Sequence, residues 1–387
     1  MKKKWINALF IFIILFSLGT SAASAQSSQS DLIQTQLDNV DFSEIQVYLD
    51  QIDRDIGEYL PNLDFKNIFH DIRRGNVDLS FEGVVSGIGK YMFREILIHS
   101  RLLGTLLILA VLYAVLENIH SSFEGNNLRK ITFWVCGLAL YTIAFGSFTL
   151  SIGIARDTID KLVSFFNSLL PVLVTLIVGV GHVTSAALLS PLTLATTGFF
   201  ANIINQVVMP LIYVCTVLYI LDHISLDFKV GHLAKLCRDI AIGIIGVSLT
   251  IYIAVLNIQG VAGNVSDGVA LETAKFATGS FIPVVGKLLS DALEVVVGTS
   301  LLIKGAVSMV GIIIIALLCI FPLLKILSLV IIYRVAAALV QPFGAKPIAD
   351  TLNTIGNCLL LVFGAVSSVG VMLFVGISIL IKVGKPF

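Results

Sequence analysis

The sequence predicts an all-α, polytopic helical membrane protein. Of its 387 residues, 57% are hydrophobic and only 13% are charged, whereas soluble domains are about 45–50% apolar and about 25% charged. The mean hydropathy is +0.96, and apolar runs near the length of a spanning helix recur along the chain. The formal net charge is zero, which argues against nucleic acid as a partner, since such proteins usually carry a concentrated basic face.

Residues 1–25 predict a secretory signal peptide that is cleaved. Three lysines, Lys2–Lys4, precede an apolar run from Ala8 to Leu18, and Ala23-Ser24-Ala25 supplies a cleavage site of small residues. The mature chain then begins at Gln26. The alternative interpretation of these residues is an anchor helix that stays attached.

The exported segment, residues 26–101, is acidic and helical in pattern. It has thirteen acidic residues against seven Lys and Arg, and it has no cysteine that could form a disulfide framework. Apolar residues recur every three or four positions, which places them on one helix face. They are Ile45, Tyr48, Leu49, Ile52, Ile56, Tyr59 and Leu60. The segment is therefore predicted to be a small group of amphipathic helices.

Eight apolar segments follow, which predicts about eight spans, within a range of seven to nine. They are Leu102–Glu117, Ile131–Ile152, Leu162–Val180, Ser185–Ile204, Val207–Leu221, Ile240–Gln259, Gly305–Val340 and Asn357–Ile381. Residues 102–259 form the first transmembrane group and residues 305–387 the C-terminal one. Gly305–Val340 is too long for one span, so it predicts either a span with a cytoplasmic helical extension, which is favoured, or a hairpin near Pro322. The positive-inside rule places Lys229, Lys235 and Arg238 in the cytoplasm.

Residues 260–304, between these groups, are predicted to form an extracytoplasmic loop with an amphipathic helix. Pro283 suits a first helical turn. The polar face of that helix consists of Lys287, Ser290, Asp291 and Glu294. Amphipathicity fits both a helix lying in the membrane interface, which is favoured, and a re-entrant helix lining an aqueous cavity.

The sequence lacks the common signatures of catalysis. It contains neither the H-E-x-x-H motif of zinc proteases nor the G-x-S-x-G motif of serine hydrolases. Its six histidines form no helical pair, and its five cysteines form no C-x-x-C motif. We therefore predict a protein that is not an enzyme and that needs no metal or cofactor.

Two kinds of residue in the apolar segments are candidates for a functional role. Lys325 is a candidate intramembrane charge, because ionisable residues within spans are often functional; the alternative is that its amine reaches a nearby interface. Small residues let transmembrane helices approach closely. Those predicted to pack helices together, within the chain or between copies in a homo-oligomer, are Ser190, Thr193, Thr197, Gly364 and Ser368.

Four stretches of sequence resemble the stage III sporulation protein AE family of endospore-forming bacteria. They are "DLIQTQLDNVDFSEI" (Asp31–Ile45), "LLGTLLIL" (Leu102–Leu109), "DGVALETAKFATGSFIPVVGKLLSDA" (Asp267–Ala292) and "LVQPFGAKPIAD" (Leu339–Asp350). The similarity covers nearly the whole mature chain in order.

The resemblance implies a membrane component of the mother cell–forespore channel, a secretion-like complex needed for late forespore gene expression. It implies a location in the mother-cell membrane around the forespore, with the exported segment outside the cytoplasm. The implied partners are the other proteins of the stage III sporulation operon, stage II sporulation protein Q and membrane lipid. An independent small-solute permease and a scaffold without a pore are the alternatives that the residues leave open.

Overall fold

A computed structural model describes residues 43–56, 81–121, 126–224, 229–281 and 283–383. Within these ranges, the side chains of residues 266–297 and of some residues near helix ends lie outside the description. Every regular element in the described residues is a helix, so the all-α fold class is confirmed. The predicted signal peptide lies outside the described residues, as does most of the N-terminal segment up to residue 80.

The described helices are numbered here in chain order. They are α1 (Ser43–Ile56), α2 (Phe81–Ile98), α3 (Ser100–Ser121), α4 (Asn126–Gly179), α5 (Val183–Ile203), α6 (Met209–Ile224), α7 (Gly231–Phe281), α8 (Pro283–Val340) and α9 (Lys346–Lys382). A π-helical turn, Ile204–Val208, joins α5 to α6, and a 3-10 turn, Gln341–Phe343, follows α8.

Five helical units are long and apolar enough to cross a membrane. They are Gly137–Gly179, Val183–His223, Gly231–Gly263, Ser300–Phe343 and Lys346–Lys382. A sixth is added if α2 and α3, which meet at an angle of 42°, count as one broken span. A polytopic helical protein is therefore supported, whereas the prediction of eight separate spans is not confirmed.

The second and third predicted spans lie on one continuous helix, α4, which is 54 residues long. The charged residues between them predicted a loop. In the structure they remain helical, and Lys161 forms an ion pair with Asp157 at 2.9 Å, four residues apart. Such a pair stabilises a helix rather than interrupting it.

The fourth and fifth predicted spans are likewise continuous, because the π-helical turn Ile204–Val208 connects α5 directly to α6. Pro210 follows this turn and cannot donate a backbone hydrogen bond to the preceding turn. π-helical turns within α-helices are rare and often mark functional positions.

Helix α8 extends from Pro283 to Val340 without interruption at Pro322. The segment Gly305–Val340 is therefore one continuous helix and forms no hairpin near Pro322. That part of this helix is a cytoplasmic extension stays a prediction. Pro283 is the first described residue of α8. Residues 260–304 are helical on both sides of Ile282.

The core of the bundle lies between α8 and α9, with α4 packed against both. Helix α1 packs on α4, where the rings of Tyr48 and Phe165 meet edge to face at 5.3 Å. Ile45, Leu49 and Ile52 of α1 are buried as well, which confirms this part of the predicted apolar stripe.

Candidate functional site: the helix crossing around Gly376

The predicted polar face of the amphipathic helix cannot be assessed from side-chain contacts. The side chains of Lys287, Ser290, Asp291 and Glu294 lie outside the described residues, although their backbone belongs to α8. The choice between an interfacial and a re-entrant helix stays a prediction.

Lys325 is half-buried in the C-terminal half of α8. Its backbone carbonyl accepts a hydrogen bond of 2.7 Å from the hydroxyl of Ser328. The structure describes no ion pair for its amine with a carboxylate in the described part of the chain. A role as an intramembrane charge therefore stays a prediction.

Four helices, α4, α5, α7 and α9, meet where Gly376 faces Tyr252 and Phe166. A methyl group added at Gly376 would lie 2.8 Å from the hydroxyl oxygen of Tyr252 and 3.3 Å from the ring of Phe166. The hydroxyls of Tyr252 and Thr197 are hydrogen-bonded at 3.2 Å, and both residues are buried. A side chain at position 376 would therefore press against both aromatic residues.

The face predicted from Ser190, Thr193 and Thr197 points partly into this crossing. Thr197 supplies the hydrogen bond to Tyr252, and Thr193, one turn earlier, is 1% exposed. The hydroxyl of Thr193 has no hydrogen-bond partner in the described structure. Ser190 is only half-buried. The two threonines are thus buried between helices, whereas Ser190 is only partly covered.

Other helices approach α9 closely at Gly370 and Gly376, and not at the predicted Gly364. Nothing lies within 4 Å of a methyl group added at Gly364, whereas one added at Gly370 would lie 2.6 Å from the sulfur of Cys319. Ser368 is buried, and its hydroxyl donates to the carbonyl of Ala365 at 2.7 Å. Packing within the chain therefore does not explain Gly364, and its role in self-association stays a prediction.

Lys304 is a buried side chain that the sequence analysis did not single out. It is 2% exposed, and its amine donates a hydrogen bond to the carbonyl of Val383. Val383 is the C-terminal cap of α9. The last carbonyls of a helix lack hydrogen-bond partners within the helix, so a lysine amine there satisfies one of them. Its positive charge also interacts favourably with the negative end of the helix dipole. The available signal was a lysine inside the apolar stretch Leu301–Val307.

The described part of the chain offers little for chemistry on a small molecule. It contains no group of three or more His, Cys, Asp or Glu side chains placed to hold a metal ion. A depression between α6 and α9 is lined in part by Tyr219, His223 and Thr351, but it encloses about 0 Å³ of space that a water molecule could occupy. Ligand pockets usually have about 300–1,000 Å³, so this depression favours no substrate.

Comparison with known proteins gives one consistent assignment. The family model for stage III sporulation protein AE matches residues 63–384. The curated stage III sporulation protein AE of Bacillus subtilis (strain 168) is 31% identical over 390 residues, covering 99% of this chain and 98% of that protein. No solved structure matches the fold. Since the match extends over almost the full length of both chains and the family model covers most of this one, the chain belongs to the stage III sporulation protein AE family.

Proposed function

We propose that the chain is a membrane-embedded component of the mother cell–forespore channel complex and is needed for late forespore gene expression. The observation that carries this proposal is the full-length similarity to a stage III sporulation protein, together with five or six helices able to cross a membrane. The tightly packed bundle suits a membrane platform that other subunits contact. The chain acts within the complex rather than as an independent permease.

Co-purification tests this proposal. The tagged full-length chain is extracted in mild detergent from membranes of sporulating cells and captured. We expect the other proteins of the stage III sporulation operon and stage II sporulation protein Q to be recovered with it. An unrelated multi-pass protein with the same tag serves as the control. Recovery of the chain alone, at the background of that control, would contradict the proposal.

The proposed complex requires the N-terminal segment, residues 26–101, and the Gly260–Lys304 segment to face the space between the two membranes. The chain is expressed in vegetative cells, where the outer face of the plasma membrane corresponds to the intermembrane side. An impermeant thiol reagent added to intact protoplasts of these cells is then expected to label Asp50→Cys and Ser290→Cys above the parent chain. Lys235→Cys, on the predicted cytoplasmic side, is the matched control and is expected to react only after permeabilisation. Labelling of Lys235→Cys alone in intact protoplasts would reverse the orientation.

A further inference from the structure

Helix α4 carries a polar stretch, Arg156–Lys161, halfway along its length. Arg156, Asp157 and Asp160 are exposed, and Lys161 is paired with Asp157 at 2.9 Å. A helix of 54 residues is about 80 Å long at 1.5 Å per residue, whereas the hydrocarbon core of a bilayer is about 30 Å thick. Much of α4 must therefore lie outside the hydrocarbon unless the helix is extremely tilted.

The contacts between α4 and α8 fix which residues lie at the same height along the bundle. Gly311 packs against Leu169, and the hydroxyl of Tyr333 donates to the carbonyl of Ala144 at 3.5 Å. The two helices are therefore antiparallel. Phe321, midway between these contacts on α8, lies level with the polar stretch of α4.

Two further elements bring polar side chains to this height. On α2, Tyr91 meets the ring of Phe321 edge to face at 4.7 Å, and its neighbours Lys90 and Arg94 are exposed. From the π-helical turn, the amide of Asn205 donates to a carboxylate oxygen of Asp160 at 2.8 Å. We call this set the polar belt; it consists of Lys90, Arg94, Arg156, Asp157, Asp160, Lys161 and Asn205.

The exposed face of α4 changes character at the polar belt. Before the belt, the large exposed side chains are apolar, namely Val135, Leu138 and Leu150, and the exposed hydroxyls of Thr142 and Thr149 are hydrogen-bonded to carbonyls of α4 itself. In the first two turns after it, the exposed side chains are Ser164 and Asn167. Apolar exposed residues suit lipid, whereas hydroxyl and amide groups need hydrogen-bonding partners that hydrocarbon does not offer.

Helix α1 lies against α4 just beyond the belt. The hydroxyl of Tyr48 donates to the hydroxyl of Ser164 at 2.9 Å. The outer face of α1 exposes Asp50 and Arg54. Charged side chains are costly within hydrocarbon, so this part of α4 and the helix packed on it are suited to water rather than to lipid.

Helix α7 exposes a large apolar side chain at the same height. Gly376 faces both Phe166 of α4 and Tyr252 of α7, which places Ile251 level with Asn167. The side chain of Ile251 is 46% exposed. Lipid therefore reaches farther along the α7 side than along the α4 side, as expected for a bundle inclined to the membrane normal.

We propose that the polar belt contacts phospholipid head groups and marks the membrane surface on the α4 side. Residues 126–155 then cross the membrane, and residues 162–179, predicted from sequence as a third span, stand outside it with α1 packed on them. Both signs of charge in the belt match the phosphate and amine groups of phospholipids. The proposal concerns depth alone, so it does not depend on which face is extracytoplasmic.

Thiol labelling of the reconstituted full-length chain tests this depth. Purified variants are placed in vesicles of phosphatidylethanolamine and phosphatidylglycerol, which are opened by freeze–thaw so that an impermeant maleimide reaches both faces. Thiols react as thiolates, which form in water and not in hydrocarbon, so Asn167→Cys is expected to react about tenfold faster than Leu138→Cys. Ile251→Cys, the height-matched control, is expected to react as slowly as Leu138→Cys.

Two controls separate lipid shielding from other causes. The parent chain gives the background from its native cysteines, and labelling in detergent shows that each introduced thiol is reactive in a folded chain. If Asn167→Cys were as slow as Leu138→Cys in vesicles and fast in detergent, the second half of α4 would lie in lipid and the proposal would be wrong. Equal, rapid labelling of Ile251→Cys and Asn167→Cys would contradict the inclined bundle.

Discussion

Replacing Gly376 with alanine is expected to lower the thermal unfolding midpoint of the purified chain by several degrees. The added methyl group would lie 2.8 Å from the Tyr252 hydroxyl and 3.3 Å from the Phe166 ring. Both rings are buried and would have to shift to admit the methyl group, and overpacking a core costs about 1–3 kcal/mol. Thermal unfolding of the parent and the variant in the same detergent measures the effect.

Gly364→Ala is the matched control on the same helix, because nothing lies within 4 Å of its added methyl group. It is expected to leave the midpoint unchanged. Tyr252→Phe removes the hydroxyl oxygen that lies nearest to the methyl group added at Gly376. The double variant Tyr252→Phe/Gly376→Ala is therefore expected to be more stable than the sum of the two single effects predicts. Equal tolerance of alanine at Gly364 and Gly376 would show that the four helices do not cross as described.

Lys304→Met is expected to destabilise the chain by a similar amount. The substitution keeps most of the side-chain volume but removes the amine that donates to the Val383 carbonyl. A hydrogen bond involving a charged group contributes about 1.5–3 kcal/mol, and its loss leaves the end of α9 without this cap. The C-terminal turn of α9 is expected to lose protection in amide hydrogen exchange, in addition to a lower unfolding midpoint.

Lys325→Met provides the comparison for this change. Lys325 is only half-buried, and its amine has no ion pair with a carboxylate among the described residues, so little stability is expected to depend on it. Equal destabilisation by the two substitutions, without a local loss of exchange protection in α9, would argue against the cap.

The fold class could be predicted from the sequence because apolar content and helical periodicity are local properties. The number of membrane spans could not be predicted in the same way. The charges between Ile152 and Leu162 have the composition of a loop, yet in the structure Asp157 and Lys161 pair along one helix. Whether such residues interrupt a helix depends on neighbours such as Asn205, which contacts Asp160 from a distant part of the chain.

At the candidate site, the sequence alone also does not indicate which individual residues make the close contacts. Gly364 and Gly376 are both glycines in an apolar stretch of α9, and nothing local distinguishes them. Their difference comes from Tyr252 on another helix, which faces Gly376 but not Gly364. The Thr197 hydroxyl, which lies within an apolar span, is hydrogen-bonded to Tyr252 of another helix. The partner itself, Tyr252, became evident only from the fold.

The measurement that tests the central proposal most directly follows a late forespore-specific reporter in sporulating cells that lack this gene. We expect engulfment to proceed normally and reporter activity to be lost, with recovery when the parent gene is restored. Normal late reporter activity and normal spores in the deletion strain would contradict a role in the mother cell–forespore channel. Transport by the purified chain alone in liposomes would then be the next property to measure.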